Sequence, residues 1–392
     1  MNLVKISFIY IRRKAFATLL YSFLMAAGVA GVSAAMALLH NAEQRLVKDS
    51  GGIDLVIGAK GSPAQLVLSA VYQMDSPTGN IPLSLSETAA KFPEVKSAIP
   101  MALGDSFGGF RIVGSTTQYP MKYNAELADG KYWRAPMEAV LGARVARETG
   151  LKTGDKFEGS HGITSAGELH GDKPYIVTGI LKPTGAVLDR LVLTSIESVW
   201  NVHESHAGAG EKEITALLVE YSSPLAAVSF PRKINSIGQL QAASPAFETA
   251  RIMSVLGSGV EIMKAFFYTL ILTAGVGVFL ALYSAMNERR RDLAIMRALG
   301  ASRAKLFAHV ALEGLIITAV GAMCGLLIGH VAAAAAGIWL DRTRQLALEL
   351  PMFTMNDVYL AAMAMAVGLI AAIVPAIQAY STDVTETLSG AE

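Results

Sequence analysis

Four long apolar stretches divide the chain, and they lie at residues 15–40, 264–287, 306–340 and 358–380. A helix needs about 20 mainly apolar residues to cross a bilayer, so each stretch predicts a membrane-spanning helix. The first stretch is longer than the roughly 7–15 apolar residues of a signal peptide, and no small-residue cleavage site follows it, so we expect a retained anchor. The pattern predicts an α-helical membrane protein with four transmembrane helices.

Residues 41–263, between the first two apolar stretches, have the mixed composition of a water-exposed domain. Short β-branched runs predict strands at residues 53–58, 108–115, 175–181, 190–195 and 214–221. Helical patterns cover residues 85–92, 139–150, 229–240 and 244–263, and the last leads into the second span without a break. This mixture predicts a large external α+β domain of two lobes, the second at about residues 126–222.

Basic residues are concentrated before the first span and between the second and third spans. They are Lys5, Arg12, Arg13 and Lys14, and then Arg289, Arg290, Arg291, Arg297, Arg303 and Lys305. Because cytoplasmic loops near membrane spans are enriched in Lys and Arg, both groups predict cytoplasmic segments. The predicted cytoplasmic parts are then residues 1–14, 288–305 and 381–392, and the predicted external parts are residues 41–263 and 341–357.

Composition narrows the class of function. The chain is 52% hydrophobic and only 17% charged, with a formal net charge of +1, so it has no overall field for nucleic acid. Its single cysteine, Cys324, lies in an apolar stretch, which excludes an intrachain disulfide and a multi-cysteine metal site. The phosphate-binding pattern G-x-x-x-x-G-K-[ST] does not occur, so the sequence predicts no nucleotide site of that type.

Two patterns in the external domain resemble chemical sites. A G-x-S-x-G pattern surrounds Ser106, but a nucleophile there needs a strand-to-helix turn, and the residues that follow predict a strand, which favours a Gly-rich turn. His203 and His206, with His161 and His170 upstream, are candidate metal ligands, although a polar surface loop is favoured. We predict that the chain is not an enzyme, and a membrane-anchored enzyme that uses Ser106 or these histidines stays an alternative.

The stretch NERRRDLAIMRALGASR, residues 287–303, separates the second and third apolar stretches. Its apolar residues Leu293, Met296 and Leu299 recur at near-helical spacing, which leaves its arginines on other faces, and Gly300 can end the helix. Membrane anchoring alone needs the positive charge but not this patterned apolar face. The pattern therefore predicts an amphipathic helix on the cytoplasmic side.

The same stretch, ERRRDLAIMRALGAS, resembles the signature of the FtsX-like and MacB-like permeases of ABC transporters, a family that includes lipoprotein-releasing permeases. The external segments DLVIGAKGSP, VLGARVARETGLKTGDKF and YIVTGILKPTGAVLDRLVLTS are similar to the external lobes of this family, and PAIQAYSTDVTETL to its tail. The resemblance covers the whole chain, and it is informative about the family rather than about a cargo.

The resemblance implies a permease subunit that forms a homodimer, or a heterodimer with a similar permease, and that binds two copies of a separate ABC ATPase. ATP and Mg would be bound by that ATPase, and no cofactor is expected in this chain, which begins at its membrane entry rather than with a fused ATPase. In the family, the loop between the second and third spans is a coupling helix that sits in a groove of the ATPase. The residues that match it are Glu288, Arg289, Arg290, Arg291, Asp292, Leu293, Met296, Arg297, Leu299, Gly300 and Ser302.

By resemblance, the mechanism is mechanotransmission: closure of the ATPases pushes the coupling helices, and rigid helices from the first two spans carry the movement to the external domain. The expected location is the inner membrane of a bacterium, in contact with its lipid. The expected substrate is a lipid, lipoprotein, peptide or toxic compound at the outer leaflet or in the periplasm, and a periplasmic accessory or substrate protein is a further candidate partner. The alternative is an ABC-type regulator of an extracytoplasmic partner, such as a cell-wall hydrolase, that moves no cargo.

Glu313 is an acid inside the third predicted span, and an ionisable group inside a membrane is a functional candidate by default. Its position near the cytoplasmic end favours snorkelling, or pairing with an arginine of the coupling loop, over a direct role in transport. We expect His330, in the same span, to be packed or interface-facing rather than a ligand. The small residues of GAMCGLLIGHVAAAAAG around it permit close helix packing, either in the bundle interior or at a dimer seam.

Overall fold

The computed structural model describes Ser7, Arg12 and residues 15–161, 173–203, 211–344 and 352–381. The chain divides into two compact units. We call residues Met1–Ala42 with Val255–Glu392 the helical unit, and residues Glu43–Ser254 the sheet unit. Most of the predicted cytoplasmic start and tail lies outside the described residues.

The described chain contains eleven α-helices and thirteen strands. The helices are α1 (Ala15–Ser50), α2 (Pro63–Ala70), α3 (Leu83–Ala90), α4 (Gln118–Lys122), α5 (Ala143–Thr149), α6 (Ile196–His203), α7 (Ala226–Asn235), α8 (Pro245–Glu288), α9 (Arg290–Ala298), α10 (Arg303–Arg344) and α11 (Met355–Ser381). The strands are β1 (Leu55–Ala59), β2 (Ile81–Pro82), β3 (Val95–Phe107), β4 (Phe110–Ser115), β5 (Leu127–Gly130), β6 (Glu138–Leu141), β7 (Lys156–Phe157), β8 (Ser160–His161), β9 (Tyr175–Leu181), β10 (Leu191–Thr194), β11 (Glu213–Ile214), β12 (Ala216–Tyr221) and β13 (Leu240–Ala243). A 3₁₀ helix, Val187–Arg190, precedes β10.

One large sheet organises the described sheet unit, with the strand order β13-β1-β12-β3-β4-β10-β6-β9-β5. The short strands β7 and β8 pair with β9 and β3, and β2 pairs with β11 in a separate ladder. The pairs β4–β10 and β6–β9 are parallel, and the other pairs are antiparallel. Helices accompany the strands, so the unit is an α+β domain.

Two stretches of chain build the two ends of this sheet. Residues 127–194 supply β5, β6, β9 and β10 at one end, and β1, β3, β4, β12 and β13 form the other. The domain therefore has two lobes on a shared sheet. β12 falls inside the range predicted for the second lobe, residues 126–222, yet it lies between β1 and β3 in the first lobe, because it pairs antiparallel with both.

Strands with two neighbours in the sheet, such as β10 and β1, are buried on both faces. In β10, Leu191 and Leu193 belong to one apolar cluster, and Val192, which points the opposite way, belongs to another. In β1, Val56 and Ile57 are divided between two clusters in the same manner. Because both faces are covered, these strands read as continuous apolar runs rather than as alternating patterns.

The predicted strands are all present, but the structure also contains strands that the sequence analysis did not predict. Residues 139–150, predicted to be helical throughout, begin as β6 and become helical only at α5. Gly142 separates the two, and a Cβ there would lie 2.1 Å from the carbonyl oxygen of Leu188, so the chain bends where only glycine fits. The longest strand, β3, was not predicted, because Pro100 and Gly104 within it indicate a loop.

The helical unit contains the predicted apolar helices. Four helices are long and apolar enough to cross a membrane: Ala15–Ser50, Pro245–Met286, Arg303–Asp341 and Met355–Ser381. They confirm the four predicted transmembrane helices. The helical pattern predicted at residues 244–263 is the first part of α8, which continues unbroken to Glu288.

Close approach of α10 to α1 depends on three glycines spaced four residues apart, Gly321, Gly325 and Gly329. A Cβ on Gly325 would lie 2.7 Å from the carbonyl oxygen of Ala26 and 2.7 Å from the Cβ of Val29. The corresponding atoms on the other two glycines would meet α1 at 2.8 Å. Small residues allow the backbones of membrane helices to come this close. This glycine stripe therefore faces the interior of the helical unit, one of the two predicted alternatives.

We expect Gly325→Leu to destabilise the helical unit by about 1–3 kcal/mol or more, because a side chain at this position would overlap the backbone of α1. Ala332→Leu makes a similar addition at an exposed position of the same helix and serves as the control. Denaturant titration of the detergent-solubilised chain measures both. Equal stability of the two variants would contradict the packing described here.

A surface carboxylate of the sheet unit is held by two lysines from different elements. Glu220 on β12 lies 2.5 Å from the Nζ of Lys96 on β3 and 2.5 Å from the Nζ of Lys122 at the end of α4. Hydrogen bonds from Lys122 and Lys96 lower the pKa of Glu220 to about 2. The carboxylate is therefore more easily ionised in the folded chain than in the unfolded chain.

Because the folded pKa of Glu220 is depressed, we expect its contribution to stability to be complete above the unfolded pKa of about 4.3. The contribution should disappear as the pH falls toward about 2. The difference in unfolding free energy between the wild type and Glu220→Gln, measured across this range, should shrink with decreasing pH. Glu87→Gln, at an exposed glutamate of α3, is the control. A difference that is independent of pH would refute the assignment.

Candidate functional site

The candidate coupling site is the short helix α9 with the breaks on either side of it. α8 ends at Glu288, and Arg289 leaves helical geometry with φ −106° and ψ 12°. At the other end, Ala301 N–H donates to Met296 O at 3.0 Å and Gly300 N–H to Arg297 O at 2.9 Å. These two bonds, with Gly300 at φ +93°, form a Schellman cap. The predicted role of Gly300 as the helix stop is therefore confirmed.

One face of α9 packs into the helical unit. Leu293 and Ala294 are buried, and Leu293 belongs to an apolar cluster that includes Leu306 and Val310 of α10. Met296 is partly buried against the same cluster. The predicted apolar face is therefore correct for Leu293 and Met296.

Leu299 was also predicted to lie on the apolar face, and this prediction is wrong, because 83% of its surface is exposed. It is the C-cap residue of α9, where the Schellman turn directs the chain away from the packed face. Ile295 is also 47% exposed, and Arg291 is exposed. Arg291, Ile295 and Leu299 recur every four residues, so they form an exposed face of α9 that combines a positive charge with two large apolar side chains.

The remaining predicted coupling residues surround this exposed face. Glu288, Arg290 and Ser302 are exposed, whereas Asp292 and Arg297 are half-buried. Ser302 precedes α10 and accepts the N–H of Lys305 on both its carbonyl oxygen, at 3.0 Å, and its side-chain oxygen, at 3.3 Å. Ser302 therefore acts as the N-cap of α10.

An ion pair connects this loop to α10. The Nη1 of Arg289 lies 3.1 Å and 3.2 Å from the two carboxylate oxygens of Glu313. Glu313 is only 5% exposed, so its charge is compensated within the protein. Pairing with an arginine of the loop was one of the predicted roles of Glu313, and the structure identifies the arginine as Arg289.

His309 lies one turn before Glu313 on α10 and is buried. Its Nδ1 is 2.8 Å from the hydroxyl oxygen of Ser7. Sequence patterns gave no signal for this contact, because 302 residues separate the two side chains. Ser7, near the start of the chain, and the first turns of α10 are therefore joined beside the Arg289–Glu313 pair.

His330 is packed inside the helical unit, as predicted. Its ring stacks on Phe353 with 4.2 Å between ring centres, and its Nδ1 is 3.0 Å from Leu326 O. Its Nε2 lies 3.6 Å from the Oδ2 of Asp357. The Oδ1 of Asp357 accepts a hydrogen bond from the hydroxyl of Ser33. This buried polar group joins α1, α10 and α11.

The structure gives no catalytic geometry to the two patterns of the external domain. Ser106 is buried inside β3, and its hydroxyl oxygen lies 3.4 Å from that of Ser160. It is not on a strand-to-helix turn, because β3 is followed by a tight turn into β4. The candidate ligands His170 and His206 lie outside the described residues, as do the side chains of His161 and His203. In the described part of the chain, no group of three or more His, Cys, Asp or Glu residues could hold a metal ion.

Two family descriptions match most of the chain. Residues 18–234 match the MacB-like periplasmic core domain, and residues 264–384 match the FtsX-like permease C-terminal region. The chain belongs to the FtsX-like and MacB-like family of permeases.

Named relatives agree with this family. The macrolide export ATP-binding/permease protein MacB of Nitrobacter winogradskyi is 20% identical over 342 residues, which is 81% of this chain and 50% of that protein. The lipoprotein-releasing system transmembrane protein LolC of Neisseria meningitidis serogroup B is 27% identical over 236 residues, which is 56% of this chain and 55% of that protein. The chain therefore spans about half the length of these relatives.

A solved structure, the periplasmic region of MacB from Actinobacillus actinomycetemcomitans, aligns with 53% of this chain and 95% of that chain. The sequence identity is 13% and the TM-score is 0.36.

We expect Glu313→Leu to destabilise the chain by about 3–5 kcal/mol, because it removes the carboxylate that pairs with the largely buried charge of Arg289. Adding Arg289→Met removes that charge, so the double variant should recover most of the loss. Denaturant titration in detergent measures all three chains. Glu261→Leu, at an exposed ion pair of α8, is the control and should cost about 1 kcal/mol or less. Single and double variants of equal stability would contradict the pairing.

Proposed function

We propose that the chain is the membrane subunit of an ABC transporter and that α9 is its docking element for a separate ATPase subunit. The observation that carries this proposal is the exposed face formed by Arg291, Ile295 and Leu299. Adjacent exposed apolar side chains mark candidate interaction sites, and arginine is enriched among the interface residues that supply most of the binding energy. Family membership supports the same role.

The opposite face of α9 supports a role for this helix in transmitting movement. Leu293 and Ala294 are buried against the helical unit, and Arg289, immediately before α9, is paired with Glu313 of α10. These contacts support a proposal in which a force on the exposed face passes through packed side chains and an ion pair to α10. We propose that ATP-driven closure of the ATPase moves α9 and that the long helices carry the movement to the external domain.

The proposed assembly contains two permease chains, either identical or related, and two ATPase subunits that bind ATP and Mg. The excess of Lys and Arg near membrane spans supports a cytoplasmic position for the basic loop at residues 288–305. Both chain ends are then cytoplasmic, and the sheet unit faces the periplasm of a bacterium whose inner membrane holds the protein.

The proposed substrates are amphiphilic molecules handled at the outer leaflet or in the periplasm. Two relatives are named for macrolide export and for lipoprotein release, so a toxic compound and a lipoprotein are the first substrates to test, followed by a lipid or a peptide. A periplasmic accessory protein is a candidate partner of the sheet unit.

The test of this function is a pull-down from bacterial membranes with the affinity-tagged full chain, followed by mass spectrometry. We expect the wild type to bring down an ATPase and Arg291→Glu/Ile295→Asp to bring down at least about tenfold less, because a loss of about 1.4 kcal/mol is sufficient for this change. ATP hydrolysis by the purified material should fall in parallel.

The matched control makes the same chemical changes at exposed positions of the sheet unit, Lys91→Glu and Leu225→Asp. It should retain the ATPase. Failure of the wild-type chain to recover an ATPase would overturn the proposed function. Equal recovery of the ATPase by the wild type and the α9 variant would overturn the docking role of this face.

A further inference from the structure

The last turn of α1 contains a buried acid in an unfavourable position. Asp49 is completely buried, with 0% of its surface exposed, and it lies next to the final residue of the helix. The carbonyl end of a helix carries partial negative charge, so a carboxylate there is repelled unless cations lie beside it. The burial of Asp49 therefore requires strong partners.

Two arginines supply these partners. The Nη2 of Arg190, in the 3₁₀ helix before β10, lies 2.9 Å from the Oδ2 of Asp49, and this arginine is 4% exposed. The Nε of Arg45, one turn earlier on α1, lies 3.3 Å from the same oxygen. Arg45 also donates from Nη1 to the carbonyl oxygen of Gly185 at 2.9 Å. The end of α1 is thus bound to the segment that leads into β10.

Tyr72 extends this contact to α8. Its carbonyl oxygen accepts a hydrogen bond from the Nη2 of Arg190 at 2.9 Å, and its hydroxyl lies 2.5 Å from the Oγ1 of Thr249 on α8. Tyr72 is 1% exposed and shares an apolar cluster against which Met253 of α8 packs. One tyrosine therefore joins the beginning of α8 to the arginine that holds the end of α1.

We call Arg45, Asp49, Tyr72, Arg190 and Thr249 the buried joint. Its net contribution to stability is expected to be small, because a buried ion pair must repay the cost of leaving water. In addition, Asp49 Oδ1 and Arg190 Nη1 are buried without a hydrogen-bond partner in the described part of the chain. What such a pair provides is a fixed relative position of the elements that carry it.

We infer that the buried joint is where α1 and α8 are fixed to the sheet, so that a displacement of either helix moves β10 and its lobe. This inference rests on the proposed function, since α1 and α8 are the two long apolar helices that extend into the sheet unit. Asp49 and Tyr72 are positioning residues: each fixes one helix and contacts no substrate. The coupling would fail at this point if the joint were loosened, even with the ATPase bound.

Pulsed electron paramagnetic resonance on the full chain in lipid nanodiscs tests the joint. In a Cys324→Ser background, spin labels at Glu43→Cys and Lys156→Cys report the position of α1 relative to the sheet. Labels at Arg251→Cys and Lys156→Cys report the position of α8. Dilution with unlabelled chain restricts the signal to distances within one copy.

We expect a single narrow distance for both label pairs in the wild type. Tyr72→Phe removes only the hydroxyl and should broaden the α8 distance, whereas Asp49→Asn should broaden the α1 distance. Tyr132→Phe loses a comparable hydrogen bond, to the carbonyl oxygen of Ala125, without touching either helix, and should leave both distances narrow. A general loss of stability would broaden both distances in each variant rather than one distance in each.

Unchanged distances in a folded Tyr72→Phe chain would overturn the inference, and this variant keeps the test valid if Asp49→Asn does not fold. The measurement needs no ATPase, so its failure is distinct from failure of the pull-down. Narrow distances in a chain that recovers no ATPase would contradict the proposed function. Recovery of the ATPase, with distances that neither substitution changes, would contradict only the role of the buried joint.

Discussion

A charge removed from water must find its partner inside the protein, and this constraint shapes both units. In the helical unit, lipid offers no hydrogen bonds, so backbone groups are satisfied within helices and the carboxylate of Glu313 is satisfied by Arg289. In the sheet unit, the charge of Asp49 is paired with that of Arg190. At each place an acid on a long helix is bound by an arginine from a different element. Hydrophobic burial is non-directional and would allow these elements to slide, whereas paired charges allow only one arrangement.

Local patterns were sufficient to predict the parts of the fold that depend on local physics. The four apolar helices follow from hydropathy and length, and the predicted strands follow from short β-branched runs. β3 was not predictable in this way. Its proline and glycine disfavour a strand locally, and its extended form is set by pairing with β12 on one side and β4 on the other. The neighbours of β12 lie more than one hundred residues away along the chain, so no local pattern reveals them.

At the candidate site as well, features that depend on nearby residues were predictable, and features that depend on the assembled fold were not. The amphipathic helix, its glycine stop and an arginine partner for Glu313 were predictable from residues that are close in sequence. Which apolar residues face outward was not, because the cap at Gly300 turns the chain and exposes Leu299. Asp49 was missed for a related reason: a charged residue at the end of a helix normally indicates solvent, and its arginine lies 141 residues further along. Burial of charge is a property of the assembled fold.

The parallel pairing of β4 with β10 has a consequence for how this domain can vary. The chain leaves β4 and returns beside it at β10, so residues 116–190 form an insertion between two paired strands. Strands β6, β9 and β5 add outward from β10, while the short strand β8 of the same insertion pairs back with β3. The end of this insertion also holds α1, because Gly185 accepts a hydrogen bond from Arg45 and Arg190 pairs with Asp49. The strands that add outward from β10 are therefore freer to vary in length than residues 185–190, which carry the attachment.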